Sequence, residues 1–199
     1  MLIGEVEQVG LDPTVWGTIF PELAKTRPAS PILGFRINHI RFGDPWRREI
    51  VGLTGIGPRT YFWEAGTNTA RCVRPGIGYQ KKHQVPGSGC GCGFYAFHDF
   101  RAFNWSPSHN PGEFVFAGIA GSGIVRVHER GWRAQYARIV AFSYEMPCLE
   151  RPCDYGLESH KAIGRKIARE LESRYEVPVV SLKRIRDTML EVGHFVEAK

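Results

Sequence analysis

The sequence predicts an α+β protein, with a mainly antiparallel β-sheet or small barrel as its core, a zinc-stabilised loop and a C-terminal pair of helices. Three observations support this fold class. Short runs of β-branched and aromatic residues recur between residues 31 and 147, with glycine turns between them. Three cysteines and a histidine lie within residues 72–92. From residue 157 the apolar residues repeat with helical spacing.

Length and composition fit one core with a helical appendage. The chain has 199 residues, of which 43% are hydrophobic, and this is enough for one ordinary core. We divide it into an N-terminal extension (1–30), a β-rich core (31–147) and a C-terminal helical segment packed on that core (154–199). No apolar run approaches the roughly 18 residues of a membrane-spanning helix. The acidic N-terminus lacks the basic start of a signal peptide, so we expect a cytoplasmic protein.

Each element has its own signal in the sequence. In the N-terminal extension, residues 2–9 predict a strand, and Asp12 followed by Pro13 predicts a short helix that ends near Lys25. In the core, apolar residues alternate with smaller or polar ones over residues 32–40, as in a half-buried strand. Six further strands are predicted at 50–53, 60–63, 93–97, 113–120, 124–128 and 132–142.

The helical segment follows a proline-containing linker that runs from Cys148 to Cys153. From Leu157 onward the apolar residues fall on one helical stripe. Pro178 ends this helix because proline has no amide hydrogen to donate. Ser181 is a favourable N-cap for a second, shorter helix.

The predicted metal site consists of Cys72, His83, Cys90 and Cys92. Three thiolates and an imidazole suit zinc, and the Cys-x-Cys spacing lets one strand contribute alternate ligands. This set fills all four tetrahedral positions, so we expect a structural zinc ion that holds the glycine-rich loop folded. The chain has five cysteines, an odd number, and no export signal, which favours metal ligation over a disulfide framework.

Two alternatives to this ligand set stay open. Either Cys148 or Cys153 replaces His83 as a ligand, or the cysteines are free thiols that bind no metal. A zinc deaminase is excluded, because that chemistry uses His-x-Glu followed by Pro-Cys-x-x-Cys. Here the spacing is Cys-x-Cys, and Glu64 is the only acid between residues 62 and 97.

Several longer patterns carry a resemblance. They are Gly-aromatic-Arg at 34–36, Trp-x-x-Gly-x-x-x-Ala-x-Cys at 63–72, His-x-x-Pro-x-x-x-Cys-x-Cys-Gly-x-Tyr-Ala at 83–96, Val-x-x-His-x-x-Gly-Trp-Arg-Ala-x-Tyr-Ala at 125–137 and Tyr-x-Val-Pro-Val-Val at 175–180. Together they resemble a group of uncharacterised proteins from actinobacteria and their phages. The chain departs from that pattern between its glycines at 121 and 123, where a tryptophan often stands. The resemblance implies one phage- or actinobacteria-encoded domain with a cysteine-rich loop, and it implies no mechanism.

Basic and aromatic residues mark a candidate partner surface. Its members are Lys81 and Lys82 beside the cysteine loop, and Trp132, Arg133, Tyr136 and Arg138 along one predicted strand. Tryptophan and arginine dominate interface hot spots and also stack on bases. Strict alternation places Trp132, Tyr136 and Arg138 on one face of that strand and Arg133 on the other. The alternative is an ordinary core strand whose arginines reach solvent.

The sequence shows no catalytic constellation. His98-Asp99 and His128-Glu129 are adjacent pairs whose side chains point to opposite faces of a strand. The glycines at 118–123 predict a turn, because no helix pattern follows them. We therefore favour a non-catalytic, zinc-stabilised module that binds a protein partner. A nucleic-acid-binding protein, which the net charge of +6 permits, and an enzyme of unknown class are the alternatives. A basic helical stripe of Lys161, Arg165 and Arg169 could also contact phosphates, but Glu158, Glu170 and Glu172 nearby dilute its charge.

Overall fold

The structure is a computed structural model, and it describes residues 31–44, 49–56, 61–72, 83–87, 90–100, 112–145 and 157–191. The strand and helix predicted for residues 1–30, and the linker at 148–153, lie outside these ranges. The described elements are, in chain order, β1 (Ile32–Phe42), β2 (Ile50–Gly55), β3 (Phe62–Trp63), β4 (Asn68–Thr69), β5 (Phe94–Phe97), β6 (Phe114–His128), β7 (Gly131–Ser143), α1 (Leu157–Tyr175), β8 (Val179–Val180) and α2 (Leu182–Glu191).

The predicted α+β class is confirmed. The described strands form one mainly antiparallel sheet, in which only the β7–β8 pair is parallel, and two helices are described after β7. The strands predicted at 113–120 and 124–128 are a single strand, β6, because the glycine-rich stretch between them forms a bulge instead of a turn. Gly123 has a φ of 74°, which glycine adopts without strain and which accommodates the bulge.

Four strands pair in a closed circuit, which makes the core a small barrel. β1 pairs with β6 in a register that starts with Ile32 opposite Gly121. β6 pairs with β7, and β7 pairs with β5. β5 returns to β1, where Phe97 lies opposite Phe35. β2 and β3 extend the sheet beyond β1, and the short strands β4 and β8 pair with β7.

Trp132 fills the interior of this barrel. Its side chain has no exposed surface, and its indole Nε1 donates a hydrogen bond of 2.8 Å to the carbonyl of Leu33. The approach of β6 to this ring requires glycine at position 121, where an added Cβ would lie 2.5 Å from Cη2 of the indole. Trp132 belongs to a cluster of buried side chains that also includes Ile40, Leu53, Trp63, Ala117, Ile119, Ile139 and Phe142.

α1 is joined to the sheet by a buried tyrosine. The hydroxyl of Tyr175 accepts a hydrogen bond of 3.0 Å from the Leu53 amide and donates one of 3.0 Å to the Trp63 carbonyl. One hydroxyl can do both because it has a donor hydrogen and two acceptor lone pairs. The last turn of α1 is therefore tied to β2 and β3 through their backbones.

α2 covers the outer face of the sheet. Ile185 and Met189 are buried against side chains from β1, β6 and β7. Ser181 caps this helix as the sequence predicts, since its Oγ accepts a hydrogen bond of 3.0 Å from the amide of Arg184. Of the two helices described, neither is long and apolar enough to cross a membrane.

Candidate metal centre

The four predicted ligands meet at one place beside β5 and β7. Cys72, His83, Cys90 and Cys92 each offer one ligand atom, and these atoms all lie within 4.8 Å of one another. Sγ of Cys72 is 3.6 Å from Sγ of Cys90, and Nε2 of His83 is 3.2 Å from Sγ of Cys92. The cluster could therefore hold one metal ion. The rival ligands Cys148 and Cys153 lie outside the described residues.

The centre is at the protein surface, with its thiols turned inward. Cys90 and Cys92 are buried, Cys72 is half-buried and His83 is exposed. The two buried thiols directly precede β5, whereas Cys72 follows β4 by a few residues. A metal here would join two separate parts of the chain that both pair with β7.

A tight turn brings His83 and the two later cysteines together. The amide of Gly87 donates a hydrogen bond of 3.2 Å to Sγ of Cys92, and the amide of Cys90 donates one of 3.3 Å to the Gly87 carbonyl. A side chain at position 87 would displace the His83 ring from its place beside Cys92, because an added Cβ would lie 2.7 Å from Nε2 of His83. An alanine at position 91 would meet no heavy atom within 4 Å. The two glycines of this loop therefore differ in what they tolerate.

Cys72 is held from the other side by β4 and β7. The amide of Ala70 donates a hydrogen bond of 2.8 Å to the Gln135 carbonyl. The hydroxyl of Tyr61 donates to the carbonyl of Arg71 at 3.4 Å, which links the residue before Cys72 to the start of β3. Backbone pairing thus fixes this ligand.

Two arginines of the β6–β7 hairpin donate hydrogen bonds to the backbone of the segment from His83 to Cys92, which we call the ligand loop. Nη1 of Arg133 donates to the carbonyl of Cys90 and, at 3.4 Å, to the carbonyl of Cys92. Nε of Arg126 donates to the Pro86 carbonyl at 2.8 Å. Nε of Arg133 also donates to Nε2 of His128 at 3.0 Å, so the ring of His128 orients the guanidinium.

Ionisation of the two buried thiols is uneven. Burial opposes ionisation of Cys90, but a hydrogen bond from the Cys92 backbone, hydrogen bonds to the thiols of Cys72 and Cys92, and the charge of His83 together lower the pKa of Cys90 to about 7. Burial, reinforced by the neighbouring thiols, raises the pKa of Cys92. Of these two thiols, Cys90 is the one that ionises more readily.

The predicted partner strand is used differently from what its alternation suggests. Trp132 was a wrong candidate for partner contact, because its side chain fills the barrel and has no exposed surface. Arg133 is turned to the ligand loop. Tyr136 and Arg138 are half-buried, and Tyr136 lies beside Gly123 at the β6 bulge. Lys81 and Lys82 lie outside the described residues.

Strict alternation does not predict which side chains of the β6–β7 hairpin are inside. Three steps along β6, from Ser122 to Val125, pair with two steps along β7, from Tyr136 to Ala134, so β6 carries one extra residue. The extra residue shifts every later side chain of β6 to the other face. On β7, Ala134 and Ala137, which alternation places on opposite faces, both belong to the inner cluster.

Sequence reasoning missed Gly87, Arg126 and His128 as parts of the centre. A signal for Arg126 was present. If Glu129 and Arg130 are read as a two-residue hairpin turn, counting outward from it places residue 126 opposite residue 133, as observed. Only the folded structure shows that Arg126 and Arg133 lie against the segment that carries the cysteines.

A separate surface feature lies on β2 and β3 and in the residues next to them. The exposed large hydrophobic side chains among the described residues are Val51, Ile56, Tyr61 and Phe62, which we call the apolar edge. Phe62 is 56% exposed and Tyr61 is 41% exposed. β3 is the last strand at this end of the sheet path. The apolar edge is linked to the metal centre through the hydrogen bond between Tyr61 and Arg71.

We compared the chain with protein-family models, with curated proteins and with solved structures, and none of them matches it.

Proposed function

We propose that this protein is a non-catalytic module that binds a protein partner and is stabilised by a structural zinc ion. The observation that carries the proposal is the convergence of three thiols and one imidazole, with all four ligand atoms within 4.8 Å. Zinc–sulfur bonds of about 2.3 Å and zinc–nitrogen bonds of about 2.0–2.1 Å in a tetrahedron place ligand atoms roughly 3.5–3.8 Å apart. The separations of 3.6 Å and 3.2 Å lie near this range, and ligand atoms as far apart as 4.8 Å would have to approach by about 1 Å.

The ligand count supports a structural role over a catalytic one. A catalytic zinc ion keeps one position for water or substrate, whereas structural sites close all four with protein ligands. Here Cys72, His83, Cys90 and Cys92 supply four. A zinc ion that joins the chain after β4 to the chain before β5 would hold the glycine-rich loop between them.

The apolar edge supports a protein partner. Aromatic residues are enriched at protein–protein interfaces and contribute large contact areas. Phe62 lies on β3, the outermost strand of the path, and Tyr61 directly precedes it. Both side chains are exposed, and the backbone of β3 also offers an edge for pairing. Because Tyr61 bonds to the residue before Cys72, the metal centre would help to fix this surface.

Metal analysis of matched variants tests the zinc site. Cys90→Ser is expected to lose the metal and to lower the melting temperature, and His83→Ala is expected to weaken metal binding strongly. Cys148→Ser and Cys153→Ser are the controls, and both are expected to keep the metal. If instead His83→Ala keeps its metal while one of these control variants loses it, the rival ligand set is correct. A Cys90→Ser variant with wild-type stability would exclude a structural site.

Cross-linking tests the partner. A photo-reactive residue placed at position 62, in cells that express the protein naturally, is expected to give protein adducts that survive nuclease treatment. The same residue at position 169, on the exposed face of α1, is the matched control. Absence of adducts at position 62, together with nucleic-acid adducts at position 169, would reverse the order of the two candidates.

Nucleic acid is the second candidate, and one observation favours it. The segment from residue 161 to 169 carries four cations and no acid, and all four are exposed: Lys161, Arg165, Lys166 and Arg169. If Arg165, Lys166 and Arg169 neutralise three phosphates, the slope of log binding constant against log salt is about −2.7 on duplex DNA. Arg165→Gln with Arg169→Gln should then remove about two thirds of that slope.

A further inference from the structure

Arg126 and Arg133 form a like-charged pair that is out of place on an isolated hairpin. They lie directly opposite each other in the β6–β7 register. Like charges in directly opposed positions destabilise an antiparallel pair. Both guanidinium groups nevertheless donate hydrogen bonds to backbone carbonyls of the ligand loop.

The partners of these two arginines are neutral. Arg126 donates to the Pro86 carbonyl, and Arg133 donates to two carbonyls and to the ring nitrogen of His128. Within the described part of the chain, neither guanidinium has an ion pair with a carboxylate. These acceptors carry no charge, so within the described residues the two guanidinium groups have no counter-charge.

A metal ion bound at the candidate centre would give that centre such a counter-charge. A divalent ion bound by three thiolates and a neutral imidazole carries a net charge of −1, because the thiolates contribute −3 and the ion +2. We propose that Arg126 and Arg133 are the built counter-charge of an anionic metal–thiolate centre and favour its fully deprotonated, metal-bound form. This inference rests on the proposed metal site.

His128 is a positioning residue in this arrangement. Its Nε2 accepts from Nε of Arg133, which turns Nη1 of the same guanidinium towards the carbonyls of Cys90 and Cys92. The hydrogen on the His128 ring therefore lies on Nδ1. Removal of the acceptor frees the guanidinium to rotate, so His128→Phe should reproduce part of the Arg133→Gln effect and add little to it in the double variant.

The experiment compares zinc affinity, by competition with a chromophoric chelator, in the wild type and in Arg126→Gln, Arg133→Gln and Arg133→Lys. Arg169→Gln, which removes one exposed charge far from the centre in sequence, is the control for net charge. The two glutamine variants are expected to bind zinc 10- to 100-fold more weakly than this control, the usual effect of residues behind the ligands. Arg133→Lys keeps the positive charge but loses the forked donors of the guanidinium group. Its zinc affinity should therefore lie between the affinities of Arg133→Gln and Arg169→Gln.

A second readout separates counter-charge from general stability. The glutamine variants should lose more melting temperature in the zinc-loaded protein than in protein stripped by chelator, because a group that favours the bound form acts only on that form. The Co²⁺-substituted variants should also shift their thiolate-to-metal absorption bands. If Arg133→Gln does not fold, the test rests on Arg126→Gln, because this variant removes only one carbonyl contact among the described residues.

The outcomes distinguish the two proposals. A wild-type protein that binds no zinc overturns the metal site itself. A wild type that binds zinc, with both glutamine variants binding as tightly as Arg169→Gln, leaves the site standing and overturns the counter-charge. Equal losses of melting temperature in loaded and stripped protein also overturn the counter-charge, since they assign the arginines to the fold alone.

Discussion

Gly87→Ala should remove His83 from the metal centre while the barrel stays intact. An added Cβ would lie 2.7 Å from Nε2 of His83, in the space that the imidazole needs in order to face Cys92. Gly87 is not one of the positive-φ glycines, so alanine adds no backbone strain there. His83 is exposed, and its ring can turn into solvent without disturbing the core. The substitution therefore acts on one ligand.

The expected loss of zinc affinity follows from the share of the binding free energy that one of four ligands contributes. Structural zinc sites contribute about 10–16 kcal/mol of apparent binding free energy, so an equal quarter is about 2.5–4 kcal/mol. At about 1.4 kcal/mol per tenfold change, zinc affinity should fall roughly 10²- to 10³-fold. The assay is chelator competition, with Co²⁺ spectra to follow the loss of the nitrogen ligand.

Gly91→Ala is the matched control in the same loop. Nothing lies within 4 Å of an added Cβ at that position, so zinc affinity should stay within a few-fold of the wild type. The double variant Gly87→Ala with His83→Ala should bind zinc no more weakly than His83→Ala alone. Wild-type affinity in Gly87→Ala, or a further loss in the double variant, would refute the steric reasoning.

Three further predictions concern the fold that carries the centre. Gly121→Ala places a Cβ 2.5 Å from Cη2 of the buried Trp132 ring and should cost about 1–3 kcal/mol. At about 2–4 °C per kcal/mol the melting temperature should fall by roughly 2–12 °C, and adding Trp132→Phe should recover part of this loss. An unchanged melting temperature in Gly121→Ala would contradict the packing of the barrel interior. Tyr175→Phe leaves the Leu53 amide and Trp63 carbonyl without their partner and should lower the free energy of unfolding by about 1–3 kcal/mol in urea titrations, whereas unchanged stability would deny that hydroxyl its role. Burial lowers the pKa of His98, although the hydrogen bond to the His128 carbonyl opposes this shift. The unfolded chain therefore binds the proton of His98 more tightly than the folded protein does, and stability is lost as pH falls below about 6.5. Measured in a Cys90→Ser background to remove the metal contribution, His98→Asn should flatten this loss, and an equally steep pH dependence would assign it to other groups.

The ligand set could be predicted because its signal is local. Cys90 and Cys92 stand two residues apart, and glycines around them leave the chain unable to form a core of its own. The donor types, thiolate and imidazole, are those that zinc prefers. Ser181 and Pro178 work in the same way, since a cap and a helix stop depend on neighbours in sequence.

The positions of Trp132 and Arg133 could not be predicted, because they depend on closure of the barrel. Alternation along β7 gives two faces but does not say which face is inside once β5, β6 and β1 close the circuit. The bulge between Ser122 and Val125 then changes the alternation of β6, the strand that pairs with β7. A tryptophan beside an arginine looks like a binding hot spot, and here one fills the core while the other holds a loop.

The apolar edge shows the same limit. Tyr61 and Phe62 belong to the short run at 60–63 that predicts a strand, and the last residue of that run, Trp63, is buried. Their exposure arises because β3 is only two residues long and is the end of the sheet path. Position in the sheet, which no local pattern records, decides between core and surface.

Metal content per chain, with thiol accessibility read on the same freshly purified sample, tests the central claim most directly. Three thiols and one imidazole within 4.8 Å predict one zinc ion per chain and three thiols protected from a thiol reagent until a chelator is added. Protein that is fully folded without metal, with Cys72, Cys90 and Cys92 reacting at once, would contradict the account and leave this cluster as three free thiols beside a barrel.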